Sequence, residues 1–279
     1  MLSNAKISRS NITHPIFRWA GSKRRIIPRL LGLVPENYGR YYEPFFGSGC
    51  LFFALSPNKA TLGDINIELI SAYRALRKST QEIFELLEQY PRTKAFYYKL
   101  RDSSSDSNQI EQAARFIYLN RFCFNGLYRT NLAGRFNVPR GKKTGGLPSL
   151  SEFIEAAKKL KGKKIICGDF EKTLKGVTSG DFVYLDPPYA SNTCKDRNEY
   201  GVGSFKPTDI DRLMETLRTI HNQGAKFLLS YSTAPDFIQK LPKRSVKTIE
   251  VRRSIASNPI FRSSVPEVLL TNDDLFKHD

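Results

Sequence analysis

Tyr41-Tyr42-Glu43-Pro44-Phe45-Phe46-Gly47-Ser48-Gly49 is a β-rich run that ends in a Gly-x-Gly turn and enters the apolar segment Cys50 to Leu55. A strand that passes through such a turn into a helix is the opening unit of an α/β sheet. Six more apolar runs bounded by turn signals follow, at Ala60 to Asp64, Lys164 to Asp169, Asp181 to Asp186, Lys226 to Tyr231, Val246 to Val251 and Pro266 to Thr271. Helical spacing appears between several of them, in Glu68 to Lys78 and in Ile210 to Asn222, where Ile210, Leu213, Leu217 and Ile220 recur. Seven strands alternating with helices predict an α/β sheet, mostly parallel. The alternation breaks between Ile67 and Lys163. That interval holds helix-like segments at Gln81 to Gln89, Ala95 to Arg101 and Gln109 to Phe122, then a Gly/Asn-rich basic stretch, and it reads as an insertion.

The 279 residues are 40% apolar and 25% charged, an ordinary globular composition that excludes a collagen-like or disordered chain. Lys and Arg number 44 against 27 acids, a net charge of +17 that makes a polyanion the expected partner. Cys50, Cys123, Cys167 and Cys194 lie far apart with no Cys-x-x-Cys pair and only three histidines in the chain, so neither a disulfide framework nor a metal is expected. The chain has no long uncharged apolar run, so no membrane span is expected, and the first 16 residues read as a basic arm rather than a signal.

From Arg115 to Gly146 seven basic residues (Arg115, Arg121, Arg129, Arg135, Arg140, Lys142, Lys143) occur without one acid. Phe116, Tyr118, Phe122, Phe124, Tyr128 and Phe136 alternate there with Asn120, Asn125, Asn131 and Asn137. Cations for phosphates thus stand beside rings and amides that can meet bases, which makes this the expected nucleic-acid surface.

The glycine turn is the expected cofactor pocket, because ligands of open α/β sheets bind beyond the carboxyl ends of the strands. Gly63-Asp64-Ile65-Asn66 ends the second run with an acid suited to a ribose diol. A third strand end, Gly168-Asp169-Phe170, offers a carboxylate and a ring to bracket an adenine. The turn lacks the third glycine of a dinucleotide fingerprint and a Walker lysine, and S-adenosylmethionine fits better than NAD or a nucleoside triphosphate. The most specific signal is Asp186-Pro187-Pro188-Tyr189 at the end of Phe182-Val183-Tyr184-Leu185. Two prolines fix the loop and leave its carbonyls free to accept. The Asp186 carboxylate and a carbonyl can then hold the hydrogens of an exocyclic amine, with Tyr189 stacked on a base that has left its helix. This chemistry serves an adenine or a cytosine amine equally.

In order and content these blocks resemble the Dam family of DNA adenine methyltransferases along nearly the whole chain. Phe17 to Lys23 is similar to the family's N-terminal block, which implies that Trp19 packs on the cofactor and Lys23 binds near its methionyl end. The resemblance assigns Glu43, Phe46, Gly47, Gly49, Asp64, Asp169, Phe170 and Asp186 to the cofactor and Asp186 to Tyr189 to catalysis. Asn120 to Asn131, continuing from Gly134 to Gly141, is similar to the family's target-recognition hairpin. It implies an intercalating ring at Phe124, base contacts from Leu127, Arg129 and Pro139, and further DNA contacts from Arg121, Asn125, Asn131, Asn137 and Arg140. Val251 to Asn258 matches a C-terminal block, which adds Arg252, Ser257 and Asn258. Arg18 stands where the family has a lysine that reads the first guanine of 5′-GATC, and Lys143 where the hairpin carries a tyrosine.

The expectation is therefore a Rossmann-like S-adenosylmethionine methyltransferase sheet, residues 1–66 and 164–279, with an inserted, mostly helical target-recognition domain, residues 67–163, that carries a β-hairpin. The activity implied is methyl transfer to N6 of a flipped adenine in duplex DNA, within GATC. Transfer to cytosine N4, an RNA substrate and a DNA binder without catalysis are the alternatives. A cytoplasmic monomer without metal, and a loop from Ala190 to Ser204 that moves on DNA binding, complete the expectations.

Overall fold

Pro44 has no amide hydrogen, so the first strand, β1 (Tyr41–Glu43), leaves the regular ladder three residues earlier than its apolar run. The computed structural model describes residues 14–103, 108–131, 133–142, 144–188, 205–233, 235–241, 247–252 and 264–276. Within them β1 joins β2 (Ala60–Asp64), β3 (Lys164–Cys167), β4 (Phe182–Leu185), β5 (Lys226–Ser232), β6 (Lys247–Arg252) and β7 (Ser264–Thr271) in one sheet of order β3-β2-β1-β4-β5-β7-β6. β1 to β5 are mutually parallel. β7 runs antiparallel between β5 and β6. Every residue of β1 and β4 is buried, as expected for parallel strands covered on both faces.

The alternating side chains divide the core in two. One cluster, with Val183, Leu185, Leu213, Leu217 and Phe227, lies under α8 (Phe170–Leu174) and α9 (Pro207–Asn222). The other begins at Tyr41, Leu62 and Tyr184 and runs without a break into the helices that follow β2. Those are α3 (Ile67–Lys78), α4 (Thr80–Gln89), α5 (Lys94–Asp102), α6 (Gln109–Phe122) and α7 (Leu150–Leu160), after α1 (Ile27–Leu31) and α2 (Cys50–Leu55) earlier in the chain. α6 buries Ala113, Ala114, Phe116, Ile117, Tyr118, Leu119, Asn120 and Phe122, on nearly all sides, and packs on α3, α4 and α5. α7 starts at a capping box in which Ser149 and Glu152 satisfy each other's backbone amides.

The stretch from Cys123 to Gly141 doubles back on itself. Among the described residues there, antiparallel pairing consists of two isolated bridges, Cys123 with Arg140 and Thr130 with Phe136. A 3₁₀ turn at Phe124–Gly126, with Asn125 at φ +55°, interrupts any longer ladder. The expected basic arm before His14, the start of the Val246 run and the 190–204 loop lie outside the described residues.

Candidate active site

The winding of the sheet changes direction between β1 and β4, and the crevice beyond their carboxyl ends is where an open α/β sheet binds ligands. Glu43 closes β1 and Asp186 follows β4 directly, so both carboxyls enter that crevice. A cavity of about 1160 Å³, counted to its open mouth, fills it. Its walls include Trp19, Lys23, Glu43, Phe46, Gly47, Gly49, Asp64, Asp169, Phe170, Asp186, Pro187 and Pro188, residues that five separate stretches of chain contribute. Tyr189 lies outside the described residues.

Each wall is held from behind. Gly47 has φ +44°, and a Cβ there would stand 2.7 Å from Cδ1 of Trp19, so only glycine lets the indole close over the turn. Asp64 binds two turns together: Oδ2 accepts from the Gly47 amide at 2.9 Å and Oδ1 from the Asn66 amide at 2.9 Å. The Asn66 side chain in turn accepts from Leu69 and caps α3. Phe170 opens α8 beneath Asp169, whose Oδ1 accepts from the Glu171 amide. Arg212 of α9 lies 4.8 Å over the Phe170 ring and pairs with Asp169 at 2.8 Å, Glu171 at 3.0 Å and Asp209 at 2.8 Å.

The crevice is crowded with acid. Lys23 Nζ stands 2.7 Å from Asp186 Oδ1 and 3.5 Å from Glu267 Oε1, and Ser230 donates to Glu267 Oε2 at 3.2 Å. Burial pushes the Asp186 carboxyl up to about 6 against the pull of Lys23. Burial also holds Glu43 well above the usual carboxylate range, although Tyr41 donates to its Oε2 at 2.8 Å. Asp64 is raised for the same reason, less because three backbone amides oppose it.

The basic stretch lies against this cavity. Trp19 stacks on Tyr128 with centroids 5.8 Å apart, and the Tyr128 hydroxyl donates to Glu68 of α3 at 2.5 Å. Buried Asn120 fastens the N-terminal block to α6, accepting from the Arg18 amide at 2.8 Å and donating to the Arg18 carbonyl at 2.6 Å. Of the residues expected at DNA, Arg129, Asn131 and Pro139 are exposed, and Arg18, Phe124, Asn125, Leu127, Asn137 and Arg140 are half-buried. Some have internal work. Arg121 donates to the Gly146 carbonyl at 2.8 Å and the Ile16 carbonyl at 3.3 Å, and burial lowers its guanidinium to about 10. Arg140 donates to the Arg92 carbonyl at 3.0 Å. Asn131 Oδ1 accepts from Ala133 and Arg135 and shapes the tip. Arg252 ends β6, while Lys143, Ser257 and Asn258 lie outside the described residues.

Sequence reasoning passed over Ile65, which is 48% exposed at the edge of the cavity, Phe205, Tyr184 and the Lys23 partner Glu267. For Glu267 a signal existed, one acid inside the apolar run Pro266 to Leu270. Among the described residues no His, Cys, Asp and Glu group is arranged to hold a metal ion, and no helix is long and apolar enough to cross a membrane.

Comparison with known proteins shows the family. The family model of D12 class N6 adenine-specific DNA methyltransferases matches residues 19–255. The Type II methyltransferase M1.LlaDCHI of Lactococcus lactis subsp. cremoris is 35% identical over 269 residues, 92% of this chain and 95% of that protein. The Type II methyltransferase M.MjaIII of Methanocaldococcus jannaschii is 34% identical over 266 residues, 86% of this chain and 92% of its own length. DNA adenine methylase of Escherichia coli K12 is 29% identical over 258 residues, 90% of this chain and 92% of that enzyme. The chain belongs to the D12 class of N6 adenine-specific DNA methyltransferases, and it is an enzyme that methylates adenine in DNA.

Proposed function

We propose that the protein transfers a methyl group from S-adenosylmethionine to N6 of an adenine flipped out of duplex DNA, within 5′-GATC. The observation that carries the reading is half-buried Asp186 with Pro187 and Pro188 at the reversal point of the sheet, in the same cavity as Asp64 and Phe170. The donor set fits the cofactor: Asp64 for the ribose, Phe170 and Ile65 as apolar faces for the adenine, and acids beside the place of a sulfonium. When bound, S-adenosylmethionine supplies an electrophilic methyl carbon. Trp19 closes over the glycine turn and excludes water. Asp186 and the Pro187 carbonyl accept the hydrogens of the target amine, which leaves the nitrogen lone pair free for the methyl carbon. The proton that the amine would release on methylation would have the Asp186 carboxylate as its acceptor. An adenine within a stacked duplex does not reach a crevice of this depth, and flipping answers that.

For recognition, Arg129 is the strongest base reader. Its Nε donates to Asn137 Oδ1 at 2.8 Å, which braces the side chain and leaves both terminal amino groups for O6 and N7 of a guanine. Phe124 is the wedge, and Leu127 and Pro139 offer apolar contacts. Arg121, held by carbonyls, supports the turn instead. Residues 67–163 form the target-recognition region in this reading. The test is incubation with unmethylated plasmid and S-adenosylmethionine, followed by nucleases sensitive to GATC methylation and single-molecule sequencing. Protection at GATC is expected; N6-methyladenine elsewhere overturns the site assignment, and methylated cytosine overturns the chemistry.

A further inference from the structure

Lys23 is a shared cation. Its ammonium touches Asp186 at 2.7 Å and Glu267 at 3.5 Å and donates to the Gly21 carbonyl at 3.2 Å. Lys23 is 5% exposed and Glu267 3%. Glu267 sits on β7, diagonally across from Ser230 of β5, and Ser230, fully buried, fixes its second oxygen. An acid inside Pro266-Glu267-Val268-Leu269-Leu270 is expensive, since an apolar residue of similar size is as stable or more so at such a place. No motif at the cofactor or DNA surface accounts for it.

We infer that Glu267 is a positioning residue for Asp186: it holds Lys23 on Asp186 Oδ1, leaves Oδ2 to the target amine, and takes enough of the ammonium's charge that Asp186 remains a strong acceptor. The inference rests on the reading of Asp186 as the group that receives the amine hydrogens. A carboxylate in an undivided ion pair is a weaker base, and acceptor strength follows basicity. The directions at Asp186 agree, for Lys23 lowers its proton affinity and Glu267 raises it. The other groups facing this cluster are Glu43 from β1, Cys50 from α2 and Tyr184 from β4, with Asp209 of α9 on the same cavity. They are unchanged in the variants below.

The test compares Glu267→Gln, which keeps the shape and removes the charge, with Glu267→Asp, which keeps the charge and shortens the arm. Plasmid methylation is followed across roughly pH 5 to 9, with kcat and KM separated. In parallel the Asp186 carboxyl of the cofactor-free protein is titrated by carbon-13 NMR. Glu267→Gln should move the acid limb of kcat down by about one pH unit. Its plateau should fall on the order of tenfold, with KM for S-adenosylmethionine little changed. Glu267→Asp should leave the limb in place. A rate limb and an Asp186 titration that both stay put in Glu267→Gln, or a limb that moves as far in Glu267→Asp, overturn the inference, since a role in packing alone is more sensitive to the shorter side chain. The NMR titration separates the two readings: an Asp186 carboxyl that shifts while the rate limb does not leaves Glu267 as its tuner and removes Asp186 as the acceptor. Should Glu267→Gln not fold, Ser230→Ala gives the opposite sign. Glu267, freed of its donor, draws Lys23 away, and the limb should move up; an unmoved limb overturns the inference.

Discussion

The Asp186 carboxyl is drawn two ways, by burial that favours its proton and by Lys23 that opposes it. Its folded-state value of about 6 lies above the ordinary carboxylate range, so the folded protein binds this proton more readily than the unfolded chain. Stability from this group is therefore full at low pH and declines as pH rises through the ordinary range to about 6. Asp186→Asn imitates the protonated side chain. In urea unfolding of the cofactor-free protein it should exceed the wild type on the order of 2 kcal/mol at about pH 8, a gain that vanishes by about pH 4. The same variant should lose roughly 10²-fold or more in methylation rate. An Asn variant less stable than the wild type at every pH would show that the Lys23 pair, not desolvation, dominates the site. Asp186 and Asp64 were legible in the sequence because each ends a strand run at a turn. Glu267 was visible only as an acid in an apolar run, because its meaning depends on Lys23, some 244 positions away in the chain and met only in the folded sheet.

At the level of elements, α8 presses on β2 so closely that Gly63 has no room for a Cβ, which would collide with the Thr173 side chain. Thr173 is fully buried, and its hydroxyl has no hydrogen-bond partner among the described residues. Valine has nearly the same shape without the polar atom, so Thr173→Val should stabilise the fold by about 1 kcal/mol. Denaturant unfolding checks this, and a loss would mean that a water satisfies the hydroxyl. All seven strands were legible because apolar β-rich runs between turn signals recur at regular intervals. Several helices were not, among them α1 and α8, each five residues long and too short for a period, and α7, which follows a basic Gly/Asn-rich stretch that masked the Ser149 to Glu152 capping signal. The hairpin was read for its sequence, yet Asn125 and Gly126, both at positive φ, cut it down to two bridges.

For the whole molecule, the helices that follow β2 and one face of the sheet share a single core, so the basic stretch and the cavity rest on one packed support. A net charge of +17 makes association with DNA strongly dependent on salt. Exposed Lys142 is a phosphate contact in our reading, and Lys142→Ala should lower the slope of log K against log salt by about 0.9 for every sequence alike. Arg129→Ala should instead cost about 1 to 3 kcal/mol of discrimination at one base pair. Competition binding with point-substituted duplexes distinguishes the two, and a uniform loss from Arg129→Ala would move that residue to the phosphates. Trp19, wedged between the glycine turn and the Tyr128 ring, is the one tryptophan in the chain. Its emission is therefore an intrinsic optical probe with no background from a second indole. That emission should change in intensity when the cavity fills and again when the Tyr128 segment meets DNA, so one unlabelled fluorophore can time both arrivals.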